Sequence, residues 1–310
     1  MTAPFGVLLM AYGSPATPED VEAYFAHIRG GRAPSPDAVD ALRARYRQIG
    51  GRSPLPEVTR RQAAGVEALL REQGVSMRVY VGMKHAPPFI DETVTQMATD
   101  GIRQAAGVAL APHYSKMSIG GYISAAASAS AAAGIDMRCV EHYHDHPGLV
   151  RSLADRIEIA RSQFPKHHDV PIVFTAHSLP ERILTWGDPY PDQLQRTCEL
   201  VASAASIDRW RFAFQSASHT SERWLGPDVL EVLRELRQAG VREIIVSPLG
   251  FVADHLEVLY DIDVEARQTA EGLGMRLERA PSLNDGLDFL SVLADVAGEA
   301  LASFQVRERV

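Results

Sequence analysis

Glu243-Ile244-Ile245-Val246-Ser247-Pro248-Leu249-Gly250-Phe251-Val252-Ala253-Asp254-His255-Leu256-Glu257-Val258-Leu259-Tyr260-Asp261 decides how the chain is read. Ile244, Ile245 and Val246, in its first five residues, make an apolar, β-branched run, the signature of a buried strand. After Pro248 and Gly250 the spacing turns helical, and Glu257, Asp261 and Glu265 stand at i, i+4 and i+8. On an α-helix those carboxylates share one face, an arrangement that mildly destabilises an isolated helix. The carboxylates follow the C-terminal end of a strand, where open α/β sheets bind ligands. The same spacing also fits a solvated acidic face.

Working outward, the strand-then-helix unit recurs. Expected strands are Phe5–Met10, Met77–Met83, Gly107–Pro112 and Asp136–Val140, then Val170–Thr175, Arg209–Phe214, Glu243–Ser247 and Met275–Ala280. Helical patterns separate them, from the Thr17-Pro18-Glu19-Asp20 start and Pro36–Ile49 to Pro191–Ala204 and the closing Leu287–Phe304. Comparable spacing in both halves predicts two parallel-sheet α/β lobes related as a structural repeat, residues 1–147 and 148–310. Tyr12 and His177 then occupy equivalent places, each just past the first strand of its lobe.

Composition narrows the classes. The 310 residues carry 46% hydrophobic content and a net charge of −8, with no basic stripe for nucleic acid and no run that spans a bilayer. The start, Met1–Ala11, lacks a signal-peptide pattern. A cytoplasmic protein is expected. With Cys139 and Cys198 alone, neither a disulfide framework nor a four-thiolate iron–sulfur cluster is expected.

Arg29, Arg32, Arg43, Arg45, Arg47 and Arg52 crowd one stretch of this acidic chain. Arginine forks suit carboxylates and phosphates, but the stretch also reads as a solvated helical lid. Ile28-Arg29-Gly30-Gly31 lacks the strand-to-helix setting of a phosphate loop. His142, His144 and His146 alternate among charged residues and read as a surface loop rather than a metal cluster. His177 ends an apolar strand before Ser178-Leu179-Pro180; it suits a metal ligand, a proton acceptor or a hydrogen-bonded structural histidine.

Several stretches together resemble the ferrochelatases. They are Ile28–Arg32, Arg45-Tyr46, Ile49–Leu55, Leu110–Ser115, Thr175–Pro180, Gly187–Tyr190, Trp224–Asp228 and Gly250–Asp261, in family order over nearly the whole chain. The resemblance is nearest to the monomeric bacterial branch that metallates coproporphyrin III. It implies two Rossmann-like lobes with a porphyrin cleft, and insertion of Fe²⁺ with release of two protons in haem biosynthesis. It implies that His177 and Glu257 form the metal pair, with Asp261 and Glu265 continuing the acidic line. It places Arg29, Arg45, Tyr46, Ser53 and Tyr122 around the porphyrin, and Tyr12 on the opposite face of the iron. Enzymes of this kind that use protoporphyrin usually carry an aliphatic residue or Met where this chain has Tyr12. The expected partners are the porphyrin and Fe²⁺, with no permanent cofactor, a monomeric state and transient contact with other haem-pathway enzymes. The alternatives are a protoporphyrin IX enzyme, a cobalt or nickel chelatase of the same fold, and a non-catalytic tetrapyrrole or solute binder. One departure concerns Gln215-Ser216-Ala217-Ser218-His219-Thr220, where Ser218 replaces a usual Gly. If that position needs φ > 0, Ser is strained there.

Overall fold

The computed structural model describes residues 5–72, 74, 77–165, 169–218 and 222–307. The chain divides into two units, Met1–Tyr143 with Asn284–Val310, and His144–Leu283. Each is built on a four-stranded parallel sheet.

In the first unit the strands are β1 (Phe5–Ala11), β2 (Met77–Met83), β3 (Gln104–Ala109) and β4 (Asp136–Val140), in the order β2-β1-β3-β4. Val7, Leu8, Leu9 and Met10 of β1 are fully buried, as expected of a central parallel strand covered on both faces. Five helices belong to the same stretch of chain: α1 (Val21–Ile28), α2 (Pro36–Gln48), α3 (Leu55–Glu72), α4 (Ile90–Thr99) and α5 (Ile119–Ala133). Local chemistry sets their starts. Thr17 caps a short 3₁₀ turn ahead of α1, its N–H bonded to Asp20 at 3.0 Å. Ser35 caps α2 with Pro36 at the first position, and the Ser53 hydroxyl accepts from Leu55 N–H at 3.2 Å at the head of α3.

The second unit repeats the plan with β5 (Ile172–His177), β6 (Trp210–Gln215), β7 (Glu243–Ser247) and β8 (Arg276–Arg279), ordered β6-β5-β7-β8. Its helices are α6 (Pro147–Arg161), α7 (Tyr190–Ala204), α8 (Val229–Gln238) and α9 (Arg267–Gly272). Asp228 opens α8 through a capping box with Glu231. A nine-residue π-helix, Val258–Ala266, leads directly into α9.

Two expectations change. The closing helix, α10 (Leu287–Arg307), falls in the first unit, not in a 148–310 lobe. It packs on α3, β3 and β4, where Gly65 lets Leu290 come so close that a Cβ there would sit 2.4 Å from Leu290 Cδ1. Arg61 on α3 pairs with Asp285 at 2.7 Å just before it. An amphipathic pattern shows that a helix buries a face, but not which sheet it covers. Strand β3 also lies three residues earlier than Gly107–Pro112. Its first residues, Gln104-Ala105-Ala106, carry no β-branched signal.

Candidate functional site

The strand order creates a switch point in each unit. β5 connects toward β6 on one side and β7 toward β8 on the other, so the loops leaving β5 and β7 diverge and leave a crevice at their C-terminal ends. β1 and β3 stand in the same relation.

In the second unit, His177 is the last residue of β5. Its backbone carbonyl accepts the Tyr190 hydroxyl at 2.9 Å, and Asp188 Oδ1 accepts the Tyr190 N–H at 3.1 Å. The ring's Nδ1–H donates to the Ser178 carbonyl, which leaves Nε2 facing outward. From the other side of the crevice, the turn after β7 folds over the end of β5. Gly250 N–H bonds the Thr175 carbonyl at 3.1 Å, and a Cβ on Gly250 would lie 2.5 Å from Ala176 Cβ. Only a residue without a side chain allows that approach. It delivers Glu257, at the start of the π-helix, to His177: Glu257 Oε1 lies 3.4 Å from His177 Nε2.

His255 occupies the other carboxylate oxygen, with its Nε2 3.4 Å from Glu257 Oε2. The sequence reading did not select it, although it stands two residues before Glu257. Phe251, 4.7 Å from the His255 ring and 6.5 Å from the His177 ring, forms part of the apolar surround. Gln215 supports the constellation from β6: its Oε1 accepts the Thr175 hydroxyl at 2.8 Å, and its Nε2 donates to the Glu257 carbonyl at 3.3 Å.

The electrostatics follow from this arrangement. Burial alone depresses the His177 imidazolium, but the Glu257 charge and hydrogen bond, with the Ser178 carbonyl, outweigh it and raise His177 to about 9. Burial would raise Glu257, but His177 and His255 together hold its carboxyl well below the usual range. The pair is therefore an imidazolium–carboxylate near neutral pH. One nitrogen and one carboxylate oxygen suit a borderline ion such as Fe²⁺.

The acidic line is graded. Asp261 is buried and accepts the Ser216 hydroxyl, while Glu265 is exposed. Ser216 takes φ 61°, so the left-handed position described in this loop is Ser216. Ser218 is exposed coil, and His219 and Thr220 lie outside the described residues.

In the first unit, Tyr12 follows β1 directly and is 41% exposed. Its ring packs on His85 with centroids 4.5 Å apart. His85 Nδ1 meets His27 Nδ1 at 3.0 Å. Burial, with Lys84 and His27 adding positive charge, pushes His85 down to about 4. Burial also lowers Lys84, whose Nζ sits 5.1 Å over the Tyr122 ring. Tyr122, Tyr46 and Ser53 are buried; the Tyr46 hydroxyl lies 3.1 Å from Ser14 Oγ. Arg29 is exposed at the end of α1, and Arg45 is half-buried on α2. Among the described residues, no helix is long and apolar enough to cross a membrane.

Comparison with known proteins adds four findings. The Ferrochelatase family model matches residues 4–301. A ferrochelatase of Herpetosiphon aurantiacus is 44% identical over 301 residues, covering 96% of this chain and 99% of its own length. A coproporphyrin III ferrochelatase of Geobacillus kaustophilus is 41% identical over 297 residues, with 94% of each chain covered. Among solved structures, SirB from Bacillus subtilis with Fe³⁺ superimposes with a TM-score of 0.63 over 97% of both chains at 12% identity, a likeness of fold.

Proposed function

Since the chain belongs to the ferrochelatase family, whose members insert iron into a porphyrin in haem biosynthesis, we propose that its porphyrin is coproporphyrin III and that His177 and Glu257 deliver the metal.

The observation that carries the substrate choice is Tyr12. It offers an exposed phenol at the end of β1, where an aliphatic side chain would offer no oxygen. Its oxygen is an axial donor to the iron of the product. Coproporphyrin III has two more propionates than protoporphyrin IX. Arg29, Arg32 and Arg52 are exposed and Arg45 is half-buried, all within one arginine-rich stretch. Hydrogen bonds to charged groups contribute about 1.5–3 kcal/mol each before desolvation is subtracted, enough to set a preference of tenfold or more. The coproporphyrin III enzyme of Geobacillus kaustophilus supports the same choice.

The chemistry at the metal pair is proton-for-metal exchange. Fe²⁺ displaces the Nε2 proton of His177 and is held by that nitrogen and a Glu257 oxygen, weakly enough to be released. As the ion passes to the macrocycle, two pyrrole N–H protons leave, and His177 and Glu257 are the acceptors within reach. Asp261 continues the acidic line behind them, with Glu265 at its exposed end. Tyr46, Ser53 and Tyr122 shape the porphyrin side from beneath the surface.

Iron is substrate in this reading and no iron–sulfur cluster is held. The two thiols belong to different units, and burial pushes Cys139 up to about 11 and Cys198 higher still, away from the thiolate a cluster needs. The protein acts as a cytoplasmic monomer. Anaerobic incubation with Fe²⁺ and either coproporphyrin III or protoporphyrin IX, followed by absorbance, tests the proposal. A higher kcat/KM for coproporphyrin III is expected; preference for protoporphyrin IX overturns the substrate choice and leaves the family assignment standing.

A further inference from the structure

The Glu257 segment is held from a direction that the metal pair does not explain. Arg279, the last residue of β8, is only 13% exposed. Its Nε donates to Asp263 Oδ1 at 2.8 Å, and its Nη1 lies 3.1 Å from Asp254 Oδ1. The same Nη1 donates to Ser282 Oγ at 3.3 Å, and the Ser282 hydroxyl donates to Asp254 Oδ1 at 2.7 Å. Asp254 immediately precedes His255, and Asp263 lies inside the π-helix. One guanidinium therefore ties down both flanks of the segment that carries His255, Glu257 and Asp261.

This placement bears on an uncommon helix. A π turn closes i to i+5, so it holds one residue more than an α turn, and long π stretches are rare. The extra residue sets which side chains face the β5–β7 crevice. Were the segment to rewind toward α geometry, Asp261 would rotate away from Ser216, and Glu257 away from the two histidines. A planar fork that fixes one carboxylate ahead of the π-helix and another within it resists that rewinding. An ammonium on a flexible stem lacks that planar fork and fixes the direction of neither carboxylate.

We propose that Arg279 is a positioning residue for metal capture: it holds the Asp254–Asp263 segment in the register that presents Glu257 to His177. The inference rests on His177 and Glu257 being the metal pair, and it is independent of which porphyrin is used.

The test compares Arg279→Lys, Asp263→Asn and His177→Ala with the wild-type chain, using Zn²⁺ as a redox-silent probe in calorimetry without porphyrin. Thermal unfolding and the separate KM values for Fe²⁺ and porphyrin accompany it. Loss of residues that orient metal ligands typically weakens binding about 10- to 100-fold. Arg279→Lys is expected to fall in that range for Zn²⁺ and to raise KM for Fe²⁺, with KM for porphyrin and the unfolding temperature near wild type. Asp263→Asn should give the same split, which keeps the inference testable if Arg279→Lys folds poorly. Wild-type Zn²⁺ affinity in a folded Arg279→Lys protein, or equal rises in both KM values, overturns the clamp. Undiminished Zn²⁺ binding in His177→Ala instead overturns the metal pair.

Discussion

The two switch points share a topology and differ in charge. At the end of β5, a histidine gains a carboxylate partner and is raised to about 9. At the first unit's counterpart, His85 sits beneath Tyr12 with Lys84 and His27 beside it and is pushed down to about 4. The same element order therefore builds one place that holds a proton between an imidazole and a carboxylate, and another that keeps its imidazole neutral beside an exposed phenol. The fold supplies two crevices, and three or four side chains at the strand ends decide what each does.

The largest effect should come from breaking the charged crevice. Glu257→Gln and His177→Ala are each expected to slow iron insertion by about 10²–10⁴-fold, the scale of a lost proton acceptor, with porphyrin binding retained. Anaerobic metallation rates, paired with porphyrin fluorescence titration, check this; near-wild-type turnover in either variant would remove that residue from the metal pair.

Breaking the phenol side should be milder and should show in the product. Tyr12→Met removes an oxygen donor, so the visible spectrum of the enzyme–product complex is expected to shift. An unchanged spectrum would mean that the phenol does not reach the iron.

The acidic line sharpens the comparison further. Asp261→Asn should cost less than Glu257→Gln, because Asp261 meets the Ser216 hydroxyl rather than either histidine. Glu265→Gln, at an exposed position, should cost least. Steady-state KM for Fe²⁺ ranks them; equal losses at all three positions would defeat the ranking.

The smallest expected effect is on stability against pH. His177 is raised above its ordinary 6.5, so its contribution is full below that pH and is lost as pH rises through about 9. Glu257 is depressed below its ordinary 4.5, so its contribution is present above that pH and lost on acidification. The unfolding temperature of the wild type relative to Glu257→Gln should therefore be highest between about pH 4.5 and 6.5 and shrink toward pH 10. A constant difference across that range would show that the pair is not ionised as described.

Much of this was readable from residues alone, for physical reasons that differ by element. β2 and β7 lie where the sequence pattern placed them, because β-branched and apolar residues bounded by turn signals leave little choice, and β4 lies where it was expected after Gly134. β3 was misplaced because small residues fill it: Gly107 packs so closely that a Cβ there would lie 2.8 Å from Cys139 Sγ. The π-helix was read as α, since over nine residues the two periods differ too little to show in a pattern of carboxylates. Arg279, which holds Asp254 and Asp263, stands on β8 beyond the helix and leaves no local signal within it. His255 was overlooked because nothing local marks it; its meaning comes from Glu257 presenting one oxygen to each histidine.

The return of α10 to the first unit has a consequence for synthesis. The second unit, His144–Leu283, is one uninterrupted stretch, whereas the first is assembled from segments on either side of it. As the chain leaves the ribosome, the second unit can close on itself first. The first unit must wait with the α3, β3 and β4 surface that α10 covers still bare. Until Leu287–Arg307 has been made, that apolar surface has no cover from its own chain.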